Sequence, residues 1–574
     1  MMNKVKLIQK FLISSKNKFL IITNNDLHLN ESPNLSQKDI YNITGFDCSF
    51  GFLLILPDQI IFFTDSRYTL AANKFFPKKV EIYDIRKKSL CDYLINLGSN
   101  FNGLVDTRLI SSQQFIDFNK ILSKGKIKIL PLKDIIYPKE YFPVFDRSYA
   151  FSLPKNYTPR NYEKNIQWVK KRIKYDGLLI WNNSHVAYIL NIRSFELDNS
   201  TKPFAGLFIP KKNLKPIIIS NNPGLRNIKK IKNNFQLQSF KTFESYLKKN
   251  NFKKIEFDFR YTNFHVYHSL NKFLKIDKTL IPIDKFMSKK TKIEQNNIIN
   301  CHYEDGLTMT KFLIQLKTKK LNIKNEYQLS NSLYELRKEG VNFFRNSFEY
   351  ISAFDSNGAI VHYRPLPNNS SKFKNQSLLL MDSGAHYLEG TTDITRVFKL
   401  YTPVKNKVKN AYTYLLKSLL KLEKKYFSKN LLASELDSFI RSYLHKFNIT
   451  YGHGTGHGVG YFNDVHEKYP IISPLSNQKI LDGNFFSIEP GFYVSNEFGL
   501  RIENLYFAKK YTNGIKLEGV TLVPYDLELI NWKLINNQEK LAIKQYHQKI
   551  YEKLKGQLGS EYRDYFKKYL IDKL

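Results

Sequence analysis

Asp382, Asp393, Glu489 and Glu503, together with His453, His457 and His466, are the residues of this 574-residue chain whose settings could do chemistry. In LLLMDSGAHYLEGTTDITRVF an apolar run, Leu378–Met381, ends in Asp382, a Gly-containing turn follows, and a second strand-like run carries Asp393. A hairpin of this kind can bring two carboxylates onto one site, although an isolated pair would read as two turn aspartates. In YGHGTGHGVGYFNDVHE, His453 and His457 stand four apart, a metal-ligand spacing on a helix. Gly452, Gly454, Gly456, Gly458 and Gly460 argue against a helix and for an extended, looping backbone that passes close to a metal or substrate. A lone histidine reads as a satisfied core residue; three in one Gly-rich segment, with His466 as the third, read as a site. In FFSIEPGFYVSNEFGLRIEN, Glu489 ends an apolar strand ahead of Pro490, and Glu503 falls within the alternating run LRIENLYF. A carboxylate pointing into such a setting is costly unless it is paired or bound to a metal.

Taken in order, Asp382, Asp393, His457, Glu489 and Glu503 form one constellation. Four carboxylates and one imidazole suit hard divalent ions, with Mn2+ favoured over a thiolate-demanding zinc site. Two ions ~3.5–4 Å apart and bridged by carboxylates would acidify a shared water towards hydroxide near neutral pH. The three cysteines, Cys48, Cys91 and Cys301, lack metal-ligand spacing, and their odd number fits a reducing cytosol without disulfides.

Several elements must position these residues. A chain of this length exceeds one hydrophobic core. Residues Ile43–Tyr68 read as a strand meander, with the apolar run Phe50–Phe63 split by Pro57 and Asp58 into two strands. Helices and short strands continue to about Phe142, and LPKNYTPRN from Leu153 is a Pro-punctuated linker. Beyond it a helix (YEKNIQWVKKRIK) leads into strands at GLLIWN, PIIISNN and KKIEFD, a second α/β unit. A further change near Met287 opens a long amphipathic helix, and helices are expected at Lys405–Tyr426, at Leu431–Phe447 and in the charged tail from Gln538. No internal repeat of solenoid length is visible. No apolar stretch reaches membrane-spanning length, and Lys16 and Lys18 interrupt any signal-peptide core. The net charge of +38 comes nearly all from Lys, alongside abundant Asn and Ile, which fits an AT-rich coding bias. The basic runs are spaced as solvated helix faces, so no nucleic-acid partner is expected.

The motifs GAIVHYRP, DSGAHYLEGTTDITR, HGTGHGVG with VHE, EPGFY and RIEN resemble those of the pita-bread metallopeptidases, in particular the long, three-domain aminopeptidase P (Xaa-Pro aminopeptidase) branch. TGFDCSFG, FTDSRY and LNIRSFELDN are similar to that branch's two non-catalytic domains, and TLVPYDLELI with QYHQKI to its C-terminal extension. The resemblance implies an α/β chain of three domains with an α+β catalytic part. These are creatinase-like domain I over 1–155, creatinase-like domain II over 156–288, and a pita-bread catalytic domain with its extension over 289–574. It implies two divalent ions, Mn2+ first with Zn2+ or Co2+ as alternatives, held by Asp382, Asp393, His457, Glu489 and Glu503. The implied reaction is hydrolysis of the N-terminal Xaa-Pro bond of peptides by a hydroxide held between the metals, with the peptide amine near Asp382. Glu489 is then the acid/base. His466 and His362 hold the carbonyl and the developing oxyanion, His453 lines the proline pocket, and Tyr493 and Arg501 support the substrate site. A cytoplasmic homodimer without membrane attachment is the corresponding expectation. Two departures stand out: Arg364 where a small residue is usual, and Cys48-Ser49-Phe50 in place of a Gly/Ala-rich run. The rivals are a prolidase-type dipeptidase and a catalytically inactive pita-bread module that binds through its charge.

Overall fold

The computed structural model describes residues 2–134, 136–137 and 149–574. The chain forms two compact units, one of residues 1–154 and 160–282, the other of residues 155–159 and 283–574. The end of the expected strand-and-helix run at Phe142 lies outside the described residues.

The first unit holds two six-stranded sheets. One runs in the order Val80–Asp84, Ile60–Thr64, Phe52–Ile55, Asn17–Thr23, Asn102–Val105, Lys128–Pro131. The other runs Gln236–Gln238, Ile217–Ile219, Gly206–Pro210, Gly177–Ile180, Lys254–Phe257, Lys275–Lys278. Pro57 and Asp58 form the turn between Phe52–Ile55 and Ile60–Thr64, as their disruption of the apolar run predicts. The N-terminal helix Met2–Ser14 buries Val5, Ile8 and Leu12, spaced along one face, in the core of the first sheet.

Both sheets share one pattern of strand directions: parallel, antiparallel, antiparallel, parallel, parallel. The likeness extends to side chains. After the fifth strand of each sheet an aspartate clasps the arginine two residues on, Asp106 with Arg108 and Asp258 with Arg260. The segments that follow exchange backbone bonds reciprocally. Ser112 N–H donates to the Thr262 carbonyl (2.8 Å) and Phe264 N–H to that of Ile110 (3.0 Å), while Gln113 N–H reaches Phe259 (2.9 Å) and His265 N–H reaches Thr107 (3.0 Å). A local two-fold relation thus joins two copies of one topology. The shared residues are too few to register as a sequence repeat.

In the second unit the long helix Lys292–Lys317 starts at a capping box, Thr291 and Glu294 each bonding the other's backbone N–H. It packs with Glu326–Lys338, Asn406–Lys424, Ala433–His445 and Asn537–Leu554 around one core that includes Leu313, Leu415, Leu419, Phe486 and Ile543. The two mid-domain helices fall inside the expected spans. Among the described residues no helix is long and apolar enough to cross a membrane. Its sheets include a three-stranded one (Ile351–Phe354, Leu378–Ser383, Ile394–Lys399) and a six-stranded one with Gly456–Gly458, Glu467–Ile472, Phe485–Ile488 and Asn504–Tyr511 among its strands. The hairpin Gly491–Val494/Phe498–Arg501 joins them in presenting the polar residues described next.

Candidate metal centre

The strand Leu378–Ser383 pairs antiparallel with Ile394–Lys399, with Asp382 opposite Thr395. Asp393, which immediately precedes the second strand, is thereby brought beside Asp382 across the ladder. Glu489 follows the strand Phe485–Ile488, where its N–H donates to the Thr455 carbonyl (2.8 Å). Glu503 lies between two strands, Phe498–Arg501 and Asn504–Tyr511. The run LRIENLYF breaks at Ile502–Glu503, where Ile502 N–H bonds the Pro490 carbonyl and Glu503 N–H bonds that of Thr395 (3.2 Å). The chain crosses from one ladder to another there, and the crossing turns the Glu503 side chain towards the hairpin carboxylates.

The Gly-rich segment is extended, as its glycines require. Gly456 lies so close to the six-stranded sheet that a Cβ would collide with the Ser487 carbonyl. His457 N–H donates to Ser487 Oγ (3.0 Å) and its ring Nδ1–H to the Gly458 carbonyl (3.0 Å). That second bond fixes the tautomer and turns the basic Nε2 towards Asp393 Oδ2 (3.5 Å) and Glu489 Oε1 (3.6 Å). The segment itself is pinned by the helix Ala433–His445. Asp437 accepts from Thr455 Oγ1 (2.5 Å) and from Arg441 Nε, whose Nη2 in turn donates to the His453 carbonyl (2.6 Å).

Potential ligand atoms therefore converge in three overlapping groups, within each of which all lie within 4.8 Å of one another. The groups are Asp382, Asp393 and Glu503; His457, Glu489 and Glu503; and Asp393, His457 and His466. The structure brings together all five expected ligands, and adds His466, whose ring centroid is 4.3 Å from that of His457. Asp382, Asp393 and Glu503 are buried, whereas His457, His466 and Glu489 are half-buried on the accessible side. His362 is half-buried beyond the turn Asp355–Ala359 and belongs to none of the three groups. Arg364, the unusual residue of that segment, lies 3.7 Å from Glu349.

Arg501 spends its whole guanidinium on this site. Nη2 donates to Asp382 Oδ2 (2.5 Å), Nε to Thr395 Oγ1 (2.9 Å) and Nη1 to the Tyr493 hydroxyl (2.9 Å). The Tyr493 hydroxyl then donates to His453 Nε2 (2.8 Å), and His453 Nδ1–H to the Gly454 carbonyl (2.7 Å). Burial, partly opposed by Arg501, raises the Tyr493 hydroxyl to about 12, so it remains a donor. Thr395 Oγ1 donates to Glu503 Oε2 (2.9 Å). Sequence reading missed Thr395, Arg396, Asp437 and Arg441. The only available signal was that Thr395 and Arg396 flank the aspartate in DITR.

The electrostatics favour cations. Burial first, and then the neighbouring carboxylates, pushes Asp393 and Glu503 well above the usual carboxylate range. Asp382 Oδ1 and Glu503 Oε1 are buried without a hydrogen-bond partner. Two bare oxygens among crowded carboxylates, with an imidazole Nε2 turned on them, are a donor set that fits two hard divalent ions.

With this geometry in view, comparison with known proteins defines the class. Residues 304–510 match the metallopeptidase family M24, residues 514–572 the C-terminal region of that peptidase, and residues 4–138 the creatinase/prolidase N-terminal domain. Residues 304–510 thus form a metallopeptidase family M24 domain. The chain is similar to Xaa-Pro aminopeptidase 1 of Dictyostelium discoideum, 25% identical over 586 residues that cover 96% of this chain and 92% of that one. Xaa-Pro aminopeptidase 2 of Mus musculus is 26% identical over 566 residues, 94% of this chain and 83% of its own. In fold it matches the X-prolyl aminopeptidase of Caenorhabditis elegans, described as a cytosolic enzyme with a di-nuclear active site. The TM-score is 0.90 at 21% identity, over 99% of this chain and 98% of that one.

Proposed function

We propose that this chain is a dinuclear metal-dependent aminopeptidase that removes the N-terminal residue from peptides with proline in second position. The observation that carries the proposal is the convergence of Asp382, Asp393, His457, Glu489 and Glu503, with two buried oxygens lacking partners, in a chain whose full-length relatives bear that activity in their names. These five residues would hold two divalent ions, Mn2+ first and Zn2+ or Co2+ otherwise. When bound, the ions supply Lewis acidity and an acidified water.

The protein's own groups do the rest. Glu489 is half-buried at the accessible side of the cluster, so its carboxylate can take a proton from the attacking water and hand it to the prolyl nitrogen. A tertiary-amide nitrogen must be protonated to leave, which makes that transfer decisive. His466, beside His457, donates to the oxygen that gains charge at the scissile carbonyl. His362 holds the same carbonyl from the neighbouring segment. His453, held by Tyr493 and Gly454, offers the flat face of its ring to the proline. Arg501 holds Asp382 in place and keeps the Tyr493 hydroxyl oriented. The peptide's amine sits near Asp382, which restricts cleavage to the N-terminus. A cytoplasmic homodimer completes the proposal; the cytosolic relative supports the location.

The test is release of the first residue from a short Xaa-Pro-Xaa peptide after chelation and addition of Mn2+. Metal-dependent cleavage that disappears when alanine replaces proline is expected. Cleavage of Xaa-Pro dipeptides alone would instead make the chain a prolidase. No cleavage with any divalent ion would refute the proposal.

A further inference from the structure

The C-terminal extension, residues 514–572, supplies none of the proposed ligands, yet it reaches the Glu503 backbone through a buried cation and the neighbouring Asn504 through the Tyr525 hydroxyl (2.9 Å). Arg396 is fully buried in the strand that begins next to Asp393. Its Nη1 donates to the Glu503 carbonyl (2.6 Å) and to the Thr395 carbonyl (3.1 Å), both on the ligand side. Its Nη2 donates to Asn504 Oδ1 (2.8 Å), to the Val523 carbonyl (2.9 Å) and to the Tyr546 hydroxyl (3.1 Å), the last two in the extension. The guanidinium lies 4.7 Å from the centre of the Tyr525 ring, which stacks on Tyr546. Tyr546 donates onward to the Val523 carbonyl (3.0 Å), and Tyr525 N–H donates to His547 Nε2 (3.1 Å).

This is an expensive way to attach an extension. Among the described residues no carboxylate lies within ion-pair distance of Arg396, its Nε has no hydrogen-bond partner, and Glu423 acts on it only from beyond that distance. A buried charge left in that state is costly, and apolar side chains of similar volume would glue the extension on at less cost. What the guanidinium provides and an apolar group does not is a rigid fork with one prong on the backbone of Glu503 and the other on the extension. Resting on the dinuclear reading above, we propose that Arg396 is a positioning residue for Glu503, and that Tyr546 and Val523 of the extension set the stance of Arg396. The extension is then part of the support of the metal centre rather than a cap on the core.

The test uses the full-length chain, stripped by a chelator and titrated with Mn2+ by calorimetry, with thermal unfolding measured in parallel. Arg396→Lys keeps the charge but loses the fork, and lowers Mn2+ affinity by roughly 10- to 100-fold, the usual effect of removing a group that orients a ligand. Tyr546→Phe removes one hydroxyl from a packed ring and lowers affinity by roughly 10-fold, the mild end of the same effect. Tyr562→Phe is the control. Its hydroxyl, also in the extension, accepts from Gln315 and does not touch Arg396, so Mn2+ affinity stays at the wild-type value. Should both test variants bind Mn2+ as the wild type does, or should all three lose affinity in step with thermal stability, the inference fails. Wild-type protein that takes up no divalent ion would bring down the dinuclear reading itself, and this inference with it.

Discussion

Replacing Thr395 with valine removes a hydroxyl while almost conserving volume, and that hydroxyl stands between two charges. It donates to Glu503 Oε2 (2.9 Å) and accepts from Arg501 Nε (2.9 Å). A hydrogen bond to a charged group contributes ~1.5–3 kcal/mol. The two bonds are felt in different measurements. The Arg501 bond exists with or without metal, so its loss cancels from metal affinity and appears as lower stability of the metal-free protein. The Glu503 bond does not cancel. In the metal-free protein burial and neighbouring carboxylates hold Glu503 towards its neutral form, whereas a bound cation keeps it ionised and a stronger acceptor. Most of one charged bond therefore appears in the affinity, and about 1.4 kcal/mol per decade converts it to a roughly 10- to 100-fold loss. Calorimetric Mn2+ titration of the stripped Thr395→Val protein measures it directly. An affinity within twofold of wild type, alongside reduced metal-free stability, would refute the claim that Thr395 serves the ligand rather than only Arg501.

Glu489→Gln should abolish peptide cleavage while leaving circular dichroism and the thermal midpoint of the metal-free protein close to wild type; normal turnover in that variant would remove the acid/base role. Chelation should lower the thermal midpoint, and free Mn2+ at a hundredfold excess over its Kd should restore about 2.7 kcal/mol, visible as a concentration-dependent shift in unfolding scans. His547 bonds Leu570 through Nδ1–H and receives the Tyr525 N–H at Nε2, and burial lowers its pKa from 6.5 to about 4. Its folded pKa lies below the unfolded one, so its contribution is complete above pH 6.5 and lost as pH falls from there towards 4, about 3 kcal/mol in all. Denaturant titrations at several pH values should show that loss in the wild type and not in His547→Gln.

The candidate ligands were legible because each sits where local sequence announces an exception: an acid at the end of an apolar run, or an imidazole among glycines too frequent for a helix. The groups that hold them were not. Thr395 meets Glu503 across 108 positions, and Arg396 meets Tyr546 across 150. An arginine in the run DITRVF reads as one more outward polar residue until the partner segments are placed around it. The break in the run LRIENLYF was hidden for a related reason. Polar and apolar residues alike are buried from Phe498 to Ala508, so the alternation marks neither face nor break, although the hydrogen-bond partners change from one ladder to another at Ile502 and Glu503. The duplicated sheets of the first unit escaped because what recurs is strand order and one Asp-x-Arg corner. Apolar residues that fill a core are interchangeable, so topology outlasts the sequence that encodes it.

Crowding buried carboxylates together works against folding, so something must hold them at their distances before any cation arrives. Each is held by a different part of the chain: Asp382 by Arg501, Glu503 by Thr395 and by its own carbonyl on Arg396, and the Glu489 backbone by Thr455. Thr455 is in turn fixed by Asp437, which is clasped by Arg441. The arginines differ in what they reach. Arg501 touches a carboxylate directly and so lowers the repulsion, while Arg396 and Arg441 bond backbone carbonyls at the site and contribute geometry. A scaffold that fixes the ligands through backbone contacts and through one oxygen of a carboxylate leaves the other oxygen bare, as Asp382 Oδ1 and Glu503 Oε1 are. Had the side chains been satisfied by protein donors instead, the fold would be more stable and the cluster would have nothing left with which to bind a metal. The instability of the metal-free centre and its capacity for divalent ions are therefore one property, and a substitution that relieves the first should cost the second.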